Sequence, residues 1–310
     1  MIEFEPGQLA GAREFWDQEG FLVVRGVIGA GTIDRVVREY DKAILPSRDR
    51  FLQQSGYRYR RNDLSPVGRC RNSFLQVHKY RAYPDFQAAV LNVLAGEEMQ
   101  RLLRGATRFP TYYLGQSMLF DHNTGTEAHQ DDYYLDSVPN GQMVAAWVAL
   151  EDIREEAGRF YVLRGTNRLN LTPKDENVRH SNELYLKALR EWMAQAKYEM
   201  VAPALRKGDV MLWGSKILHG ATRTTDQRLT RCSLTAHYIP EGFQFGNALG
   251  AVYPTELTEY PGMRVEVQDE IRGSWAGQMK HNWMMDLKEH WPRTFRTLRW
   301  VKRSVGKLAR

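Results

Sequence analysis

The chain has 310 residues, of which 43% are hydrophobic and 26% charged, a composition typical of a globular domain with one sizeable core. Its two cysteines, Cys70 and Cys232, exclude a disulfide scaffold and a Cys-x-x-Cys metal or redox motif. The sequence shows neither a basic and apolar leader nor an uninterrupted apolar run of roughly 18 residues. We therefore expect a cytoplasmic protein that does not span a membrane.

The net charge of +6 is concentrated in two segments. Residues 57–81 contain seven basic side chains and one acid, and residues 293–310 contain seven basic side chains and no acid. Segregated charge of this kind indicates surfaces that face anions, although a solvated basic face is the alternative. No stacking or groove-binding motif accompanies it, so we expect no nucleic-acid partner.

The first third of the sequence predicts helices around a single strand. Apolar spacing indicates a helix over residues 10–19, a strand over 21–27 and a helix over 32–44. Residues 85–103 have three- and four-residue apolar spacing that predicts two helices interrupted near Gly96.

From about residue 110 the pattern changes to short strands separated by turns, with an inserted loop and helix over 169–197. The pattern predicts a mainly β fold with flanking helices around a double-stranded β-helix (jelly-roll or cupin-like) core at about 110–240. We expect one domain over 1–290, followed by a basic amphipathic helix over 291–310. The predicted strands are YYLGQSML, AHQDDYYL, QMVAAWVAL, RFYVL, DVMLW and RCSLTAHYI.

Three side chains form a candidate iron site. If AHQDDYY is a strand, its period of two places His129 and Asp131 on one side. Two histidines and one carboxylate bind Fe(II) and leave positions open for oxygen chemistry. A His-x-Asp pair arises easily by chance, and an isolated histidine is more often structural. The second histidine, His219 in GDVMLWGSKILHGA, favours the metal site.

An arginine follows these residues on a predicted strand. In RCSLTAHY, alternation places Arg231, Ser233, Thr235 and His237 on one face. A guanidinium inside a barrel requires an anion, and the distal carboxylate of 2-oxoglutarate has matching bidentate geometry. Arg228 is the alternative, but it lies in the polar turn TTDQR, where solvent is the expected partner.

Several motifs, in order, resemble the phytanoyl-CoA dioxygenase (PhyH-like) family of Fe(II)/2-oxoglutarate-dependent oxygenases. The resemblance implies iron ligands His129, Asp131 and His219, an Arg231 clamp for 2-oxoglutarate, and Trp147 as a wall of the cosubstrate pocket. It also implies the cosubstrate O2, and hydroxylation rather than halogenation because Asp131 is present. The motifs are FWDQEGFLVVRGVI, AHQDDYY, EEAGRFYVLRGTNR and GDVMLWGSKILHGA.

The sequence also departs from the family pattern. Residues 164–167 read Arg-Gly-Thr-Asn where the family usually has Pro-Gly-Ser-His. The family's upstream cosubstrate-binding lysine has no clear match, and Gln116 or Asn72 is the candidate replacement. We expect Ser233 to assist Arg231 at the cosubstrate carboxylate.

The substrate is less defined by sequence than the chemistry. Arg58, Arg60 and Arg61 lie in a segment that the family resemblance places in a lid, and with Tyr133 and Tyr134 they are candidate substrate-binding residues. We expect hydroxylation of an aliphatic carbon of an anionic small molecule, with release of succinate and CO2.

Two alternatives stay open. One is a membrane-surface hydroxylase of a lipid-linked acidic sugar, such as the Kdo of lipopolysaccharide, with the helix 291–310 as a peripheral contact to the inner face of the membrane. The same helix could instead pack on the body or form a dimer contact. The other alternative is a non-catalytic jelly-roll binding module. Oligomeric state is not predicted by the sequence.

Overall fold

The structure, a computed structural model, describes residues 3–267 and 274–291. The predicted helix over 291–310 therefore lies outside the described residues except for Trp291. The helices of the described part are α1 Leu9–Glu19, α2 Ala30–Glu39, α3 Pro84–Leu94, α4 Glu97–Ala106, α5 Glu176–Arg179, α6 Asn182–Gln195 and α7 Trp275–His290.

Short strands make up the centre of the molecule. They are β1 Glu3–Phe4, β2 Phe21–Val24, β3 Phe51–Gln53, β4 Arg58–Arg60, β5 Phe74–Leu75, β6 Tyr112–Phe120, β7 Asp136–Val138, β8 Val144–Ala149, β9 Phe160–Leu163, β10 Met200–Val201, β11 Val210–Gly214, β12 His219–Ala221, β13 Ser233–Pro240, β14 Gln244–Gly246, β15 Leu257–Tyr260 and β16 Met263–Glu266.

The larger sheet runs in the order β1-β2-β11-β8-β13-β6-β16-β15, and β5 pairs with β6. A smaller sheet, β10-β9-β12, and the pair β14-β7 complete the core. Most pairings are antiparallel, as in a jelly roll, whereas β1–β2 and β16–β6 are parallel. The sequence prediction of a double-stranded β-helix with flanking helices is confirmed.

The two faces of the larger sheet have different neighbours. One face of β13 packs under the helices, where Leu234, Ala236 and Tyr238 join the main hydrophobic core. On the other face, Thr235 and His237 line a large cavity. The predicted alternation of this strand is therefore confirmed, and it separates the apolar core from the functional side.

Local signals explain the helix boundaries. The first helix ends at Gly20, whose φ of 72° is the left-handed conformation that glycine adopts readily, and the Gly20 amide donates to the Trp16 carbonyl. The predicted interruption near Gly96 is confirmed, because α3 ends at Leu94 and Gly96 is the N-cap of α4. The insertion over 169–197 forms α5 and α6.

One predicted strand is wrong. Residues 128–135 do not form a strand. His129 makes a single β-bridge with His219, and a turn of 3-10 helix begins at Asp131.

Within the described residues, no helix combines the length and apolar character required to cross a bilayer.

Candidate iron and 2-oxoglutarate site

The three predicted iron ligands meet at one end of the barrel. His129, Asp131 and His219 each offer a ligand atom, and these atoms lie within 4.8 Å of one another. The Nε2 atoms of both histidines are 3.5 Å from Oδ1 of Asp131. The cluster is largely buried, with His129 at its more accessible side. Two imidazoles and one carboxylate in this arrangement match the donor set that Fe(II) oxygenases use.

The local structures that bring the ligands together differ from those that the sequence suggested. The bridge between His129 and His219 consists of two backbone hydrogen bonds of 3.0 Å, which fix the two residues side by side. The 3-10 turn that follows then directs Asp131 back toward both rings. Strand alternation predicted the right neighbours for the wrong reason, because the carboxylate is placed by a turn.

Both histidines are held in one tautomer. Nδ1 of His129 lies 2.8 Å from the Glu127 carbonyl, and Nδ1 of His219 lies 3.0 Å from the Ile217 carbonyl. Since a carbonyl only accepts, each Nδ1 carries a hydrogen, and each ring presents the Nε2 lone pair when it is neutral. Backbone contacts of this kind orient metal-binding histidines and fix their tautomer.

The electrostatics of the cluster favour a cation. Burial opposes ionisation of Asp131, but the charges and hydrogen bonds of the surrounding histidines hold its pKa well below the usual range. Burial lowers the pKa of His219 to about 4, so this ring is neutral at pH 7. A neutral imidazole beside an ionised carboxylate is the protonation state that metal binding requires.

Two residues that sequence reasoning did not assign to the site contact Asp131. The indole Nε1 of Trp213 donates to Oδ2 at 2.8 Å, and Nε2 of His237 is 3.6 Å from the same oxygen. Trp213 lies on the buried strand β11, where it packs with Met211 while Val210 and Leu212 join the main core, and His237 was predicted to share a face with Arg231. The strand patterns therefore indicated on which face each residue lies, but they did not indicate that either residue contacts Asp131.

Arg231 is a buried cation without a carboxylate partner among the described residues. It is 3% exposed, its Nη1 donates to the Gly158 carbonyl at 3.3 Å, and its Nε has no partner there. Burial lowers its pKa to about 10, so it stays charged at neutral pH. The guanidinium carbon lies 5.7 Å from the Phe120 ring and 6.0 Å from the Trp147 ring. An incoming carboxylate would satisfy this group, which fits 2-oxoglutarate.

The other predicted cosubstrate residues divide into two groups. Trp147 and Gln116 line the same cavity as the metal cluster and Arg231. Ser233 does not line it, and its Oγ donates to the Arg231 carbonyl at 3.3 Å. Asn72 also lies outside the lining. Arg228 pairs with Asp226 in an exposed turn, as expected for a solvated residue.

The predicted substrate residues are dispersed. Arg58 reaches the main cavity but pairs with Asp286 and Glu289 of α7. Arg61 lines a second cavity, and Arg60 lines neither. The acids that bind Arg58 are more than 200 positions away in sequence, so no local pattern could reveal them.

The two tyrosines also separate. Tyr134 borders the main cavity, and its ring packs edge-on against His129 at 5.4 Å. Tyr133 is buried behind it and stacks on Tyr185 at 3.8 Å. Tyr133 therefore supports the wall of the cavity, and only Tyr134 is placed to contact a ligand there.

The main cavity has a volume of about 1950 Å³. Its inner end contains the metal cluster, Arg231, Trp147 and Trp213, and its outer part reaches α5, α6 and α7. The volume exceeds that of pockets for ordinary drug-sized ligands, about 300–1000 Å³, so the cavity has room for substrate beyond the cosubstrate.

A jelly roll with two histidines and one carboxylate at one end, and a buried arginine beside them that pairs with no carboxylate of the described residues, defines an Fe(II)/2-oxoglutarate-dependent dioxygenase. Residues 16–231 match the sequence model of the family described as phytanoyl-CoA dioxygenase (PhyH). The chain belongs to this family.

Similar proteins agree with this assignment. The peroxisomal phytanoyl-CoA dioxygenase of Bos taurus is 22% identical over 280 residues, which cover 84% of this chain and 75% of the relative. The Homo sapiens enzyme is 22% identical over 253 residues, covering 73% and 69%.

Solved structures of low sequence identity share the fold. The non-heme alpha ketoglutarate dependent carbocyclase SnoK from nogalamycin biosynthesis has a TM-score of 0.59 at 14% identity, covering 83% of this chain and 96% of its own. The epimerase SnoN from the same biosynthesis has a TM-score of 0.56 at 15% identity, covering 85% and 100%.

Proposed function

We propose that this dioxygenase hydroxylates an aliphatic carbon of an anionic small molecule, with His129, Asp131 and His219 as the iron ligands and Arg231 as the clamp for 2-oxoglutarate. The observation that carries the proposal is the position of Arg231, a buried guanidinium that forms no ion pair within residues 3–267 and 274–291 and lines the same cavity as the metal cluster. A buried charge of this kind is costly unless an anion binds to it.

Each residue has a distinct task in this scheme. Fe(II) and 2-oxoglutarate, when bound, supply with O2 the oxidising power for an unactivated carbon, and succinate and CO2 are released. The two Nε2 atoms and Asp131 would hold the metal, while Arg231 and Trp147 would orient the cosubstrate. Gln116 lines the same cavity and is a further candidate for a polar contact to the cosubstrate.

The choice of hydroxylation rests on the ligand set. The fold alone does not select the outcome, because SnoN is an epimerase and SnoK a carbocyclase. Asp131 occupies the position that halogenating relatives leave free for chloride, so the chain retains the arrangement of hydroxylating members. A non-catalytic binding module is not retained as an alternative, since the complete ligand set is present.

The test combines metal content with turnover. His129→Ala and Asp131→Ala should each lose bound iron, measured by elemental analysis, and abolish substrate-dependent succinate formation. His290→Ala is the matched control, because this histidine is exposed at the end of α7 and lines neither cavity. Undiminished iron binding and succinate formation in both site variants would refute the assignment.

A second candidate, hydroxylation of a lipid-linked acidic sugar at a membrane surface, is favoured by one observation. Trp275, Trp283 and Trp291 on and after α7 are 69%, 55% and 61% exposed. Exposed tryptophans next to a strongly basic segment suit the interface of an anionic membrane. The basic segment itself lies at 292–310, outside the described residues.

Sedimentation with liposomes distinguishes the two candidates. The membrane candidate predicts that the full chain pellets with vesicles containing anionic lipid and that deletion of 291–310 removes most of this binding. The variant Trp283→Ser should weaken it, whereas Trp16→Phe, a buried change, should not. Equal sedimentation of the full and shortened chains would exclude the membrane candidate and leave hydroxylation of a soluble anionic substrate.

A further inference from the structure

A second cavity, of about 500 Å³, lies beside the main one. Its walls come from the β3–β4 hairpin, the segment that follows β5 and the first turn of α7, and it shares Leu75 and Gln76 with the main cavity. The two spaces are therefore neighbours across a wall that belongs to both.

This second cavity is strongly basic. Its lining contains one carboxylate, Asp49, which accepts a hydrogen bond from the Tyr83 hydroxyl at 2.6 Å. Among the described residues, none of its arginines forms an ion pair with a carboxylate, whereas Lys79 pairs with Glu266. Uncompensated cations around a concave surface concentrate anions. The arginines are Arg48, Arg50, Arg61 and Arg81.

Aromatic rings complete the lining. Phe51 stacks on Tyr80 with 5.3 Å between ring centroids, and Tyr59, Tyr83 and Trp275 also line the cavity. Guanidinium groups recognise phosphate through paired, charge-assisted hydrogen bonds, and ring faces pack against the flat or apolar group that carries the phosphate. The combination suits a phosphate ester better than a small free anion.

Gln76 stands at the junction of the two cavities. Its φ of 57° is unusual for a residue other than glycine. It is 8% exposed, and its side-chain Oε1 has no hydrogen-bond partner among the described residues. Backbone strain and an unsatisfied buried acceptor together are characteristic of ligand-contacting positions. A hydroxyl or N–H of a ligand that extends from one cavity into the other would satisfy this oxygen.

We propose that the second cavity binds a phosphate-ester group of the substrate while the carbon to be oxidised lies in the main cavity. This inference rests on the proposed function and specifies its substrate class. The cations of the main cavity are less suitable. Arg58 is bound by Asp286 and Glu289, Arg231 is assigned to the cosubstrate, and Lys288 is a single exposed ammonium on α7 without the paired donors of a guanidinium.

Phenyl phosphate is the probe, because it joins a phosphate monoester to a ring. Its affinity is measured by calorimetry on the full chain loaded with Fe(II) and 2-oxoglutarate without oxygen. The double variant Arg48→Gln/Arg61→Gln should weaken binding at least about tenfold. Arg60→Gln is the matched control, since Arg60 neighbours Arg61 and lines neither cavity, and its affinity should stay within about twofold.

Phenylacetate tests the chemical class. It carries a ring and a single negative charge, so it should bind several-fold more weakly than phenyl phosphate. Equal binding of phenylacetate would overturn the phosphate assignment, and an unchanged phenyl phosphate affinity in the double variant would overturn the site. If the double variant fails to fold, Arg81→Gln alone should still reduce the affinity several-fold.

A separate signal distinguishes this inference from the proposed function. The visible absorption of the Fe(II)·2-oxoglutarate complex reports the iron site, and it should be unchanged in Arg48→Gln/Arg61→Gln. Iron binding and absorption that persist in His129→Ala would refute the proposed function even if phenyl phosphate binds. Intact absorption with no effect of the arginine changes would refute only the second cavity as a phosphate site.

Discussion

The indole nitrogen of Trp213 donates a 2.8 Å hydrogen bond to Oδ2 of Asp131, while Oδ1 of the same carboxylate faces Nε2 of both histidines. The two oxygens therefore have different partners. One is anchored by the barrel, and the other is available to a metal ion. This division fixes the orientation of the carboxylate before metal binds.

Replacing Trp213 with phenylalanine should weaken iron binding by about ten- to a hundredfold, because it removes the anchor but keeps an apolar ring. Metal titration followed by elemental analysis measures the change. Trp283→Phe is the control, since Trp283 is exposed on α7. Wild-type iron affinity in Trp213→Phe would show that the hydrogen bond does not position Asp131.

Arg231→Met should not destabilise the ligand-free protein, although most substitutions of buried residues do. Burial lowers the arginine pKa to about 10, so the unfolded chain retains the proton to higher pH than the folded chain. The resulting destabilisation is fully present at neutral pH and is relieved only above about pH 10. Removing this charge should leave the ligand-free protein as stable as the wild type, or more stable.

Thermal melting without oxygen checks this prediction. With Fe(II) present, 2-oxoglutarate should raise the melting temperature of the wild type and have little effect on Arg231→Met, because the variant lacks the bidentate partner. Arg228→Met, a change in the exposed turn, should keep the full ligand response. A ligand response in Arg231→Met equal to that of the wild type would contradict the clamp.

His78 should make the protein less stable in mild acid. Burial lowers its pKa from 6.5 to about 3. Between these values the unfolded chain binds a proton that the folded chain does not, so stability is complete above pH 6.5 and falls as the pH decreases toward 3. This group alone should reduce the free energy of unfolding by about 2 kcal/mol from pH 7 to pH 5.

Denaturant unfolding at several pH values measures this dependence. His78→Gln should flatten the decline, because glutamine does not titrate and retains groups that can reach Ser117 and the Glu266 carbonyl. The exposed His180→Gln should keep the wild-type slope. A slope in His78→Gln that matches the wild type would assign the acid sensitivity to other groups.

Arg58 should stabilise the docking of α7. Its guanidinium donates to Asp286 at 2.8 Å and to Glu289 at 2.6 Å, and both acids are more than half exposed. Arg58→Gln should lower hydrogen-exchange protection of α7 about fivefold, or about 1 kcal/mol, since charge-assisted pairs near solvent contribute modestly. Arg60→Gln should have no effect, and unchanged protection in Arg58→Gln would exclude this role.

The sequence was most informative where the spacing of apolar residues within one segment determines which way each side chain faces. In RCSLTAHY, alternation correctly placed Cys232 and Leu234 in the core and Arg231 toward the cavity, because one face of this segment, which forms β13 from Ser233 onward, packs under helices. The same reasoning failed for 128–135, since the bridge to His219 extends for one residue and the chain then turns. A bridge of one residue has no period to detect.

Long-range partners are the feature that the sequence could not indicate. Nothing near Arg58 in the sequence indicated that α7 would supply its acids, and nothing near Arg61 indicated that Arg48 and Arg81 would surround the same space. Charge density in residues 57–81 was a correct signal for a basic surface. Which of these arginines form ion pairs and which line an open cavity depends on tertiary packing.

Asn282 gives the outer wall of the cavity an unusual attachment. Its side-chain amide accepts from the Tyr59 amide at 2.8 Å and donates to the Tyr59 carbonyl at 2.9 Å, so it mimics one residue of a neighbouring strand. These contacts close a loop of more than 200 residues, whose entropy cost only a largely assembled barrel repays. We therefore expect α7 to dock late in folding, after the barrel has brought the metal ligands together.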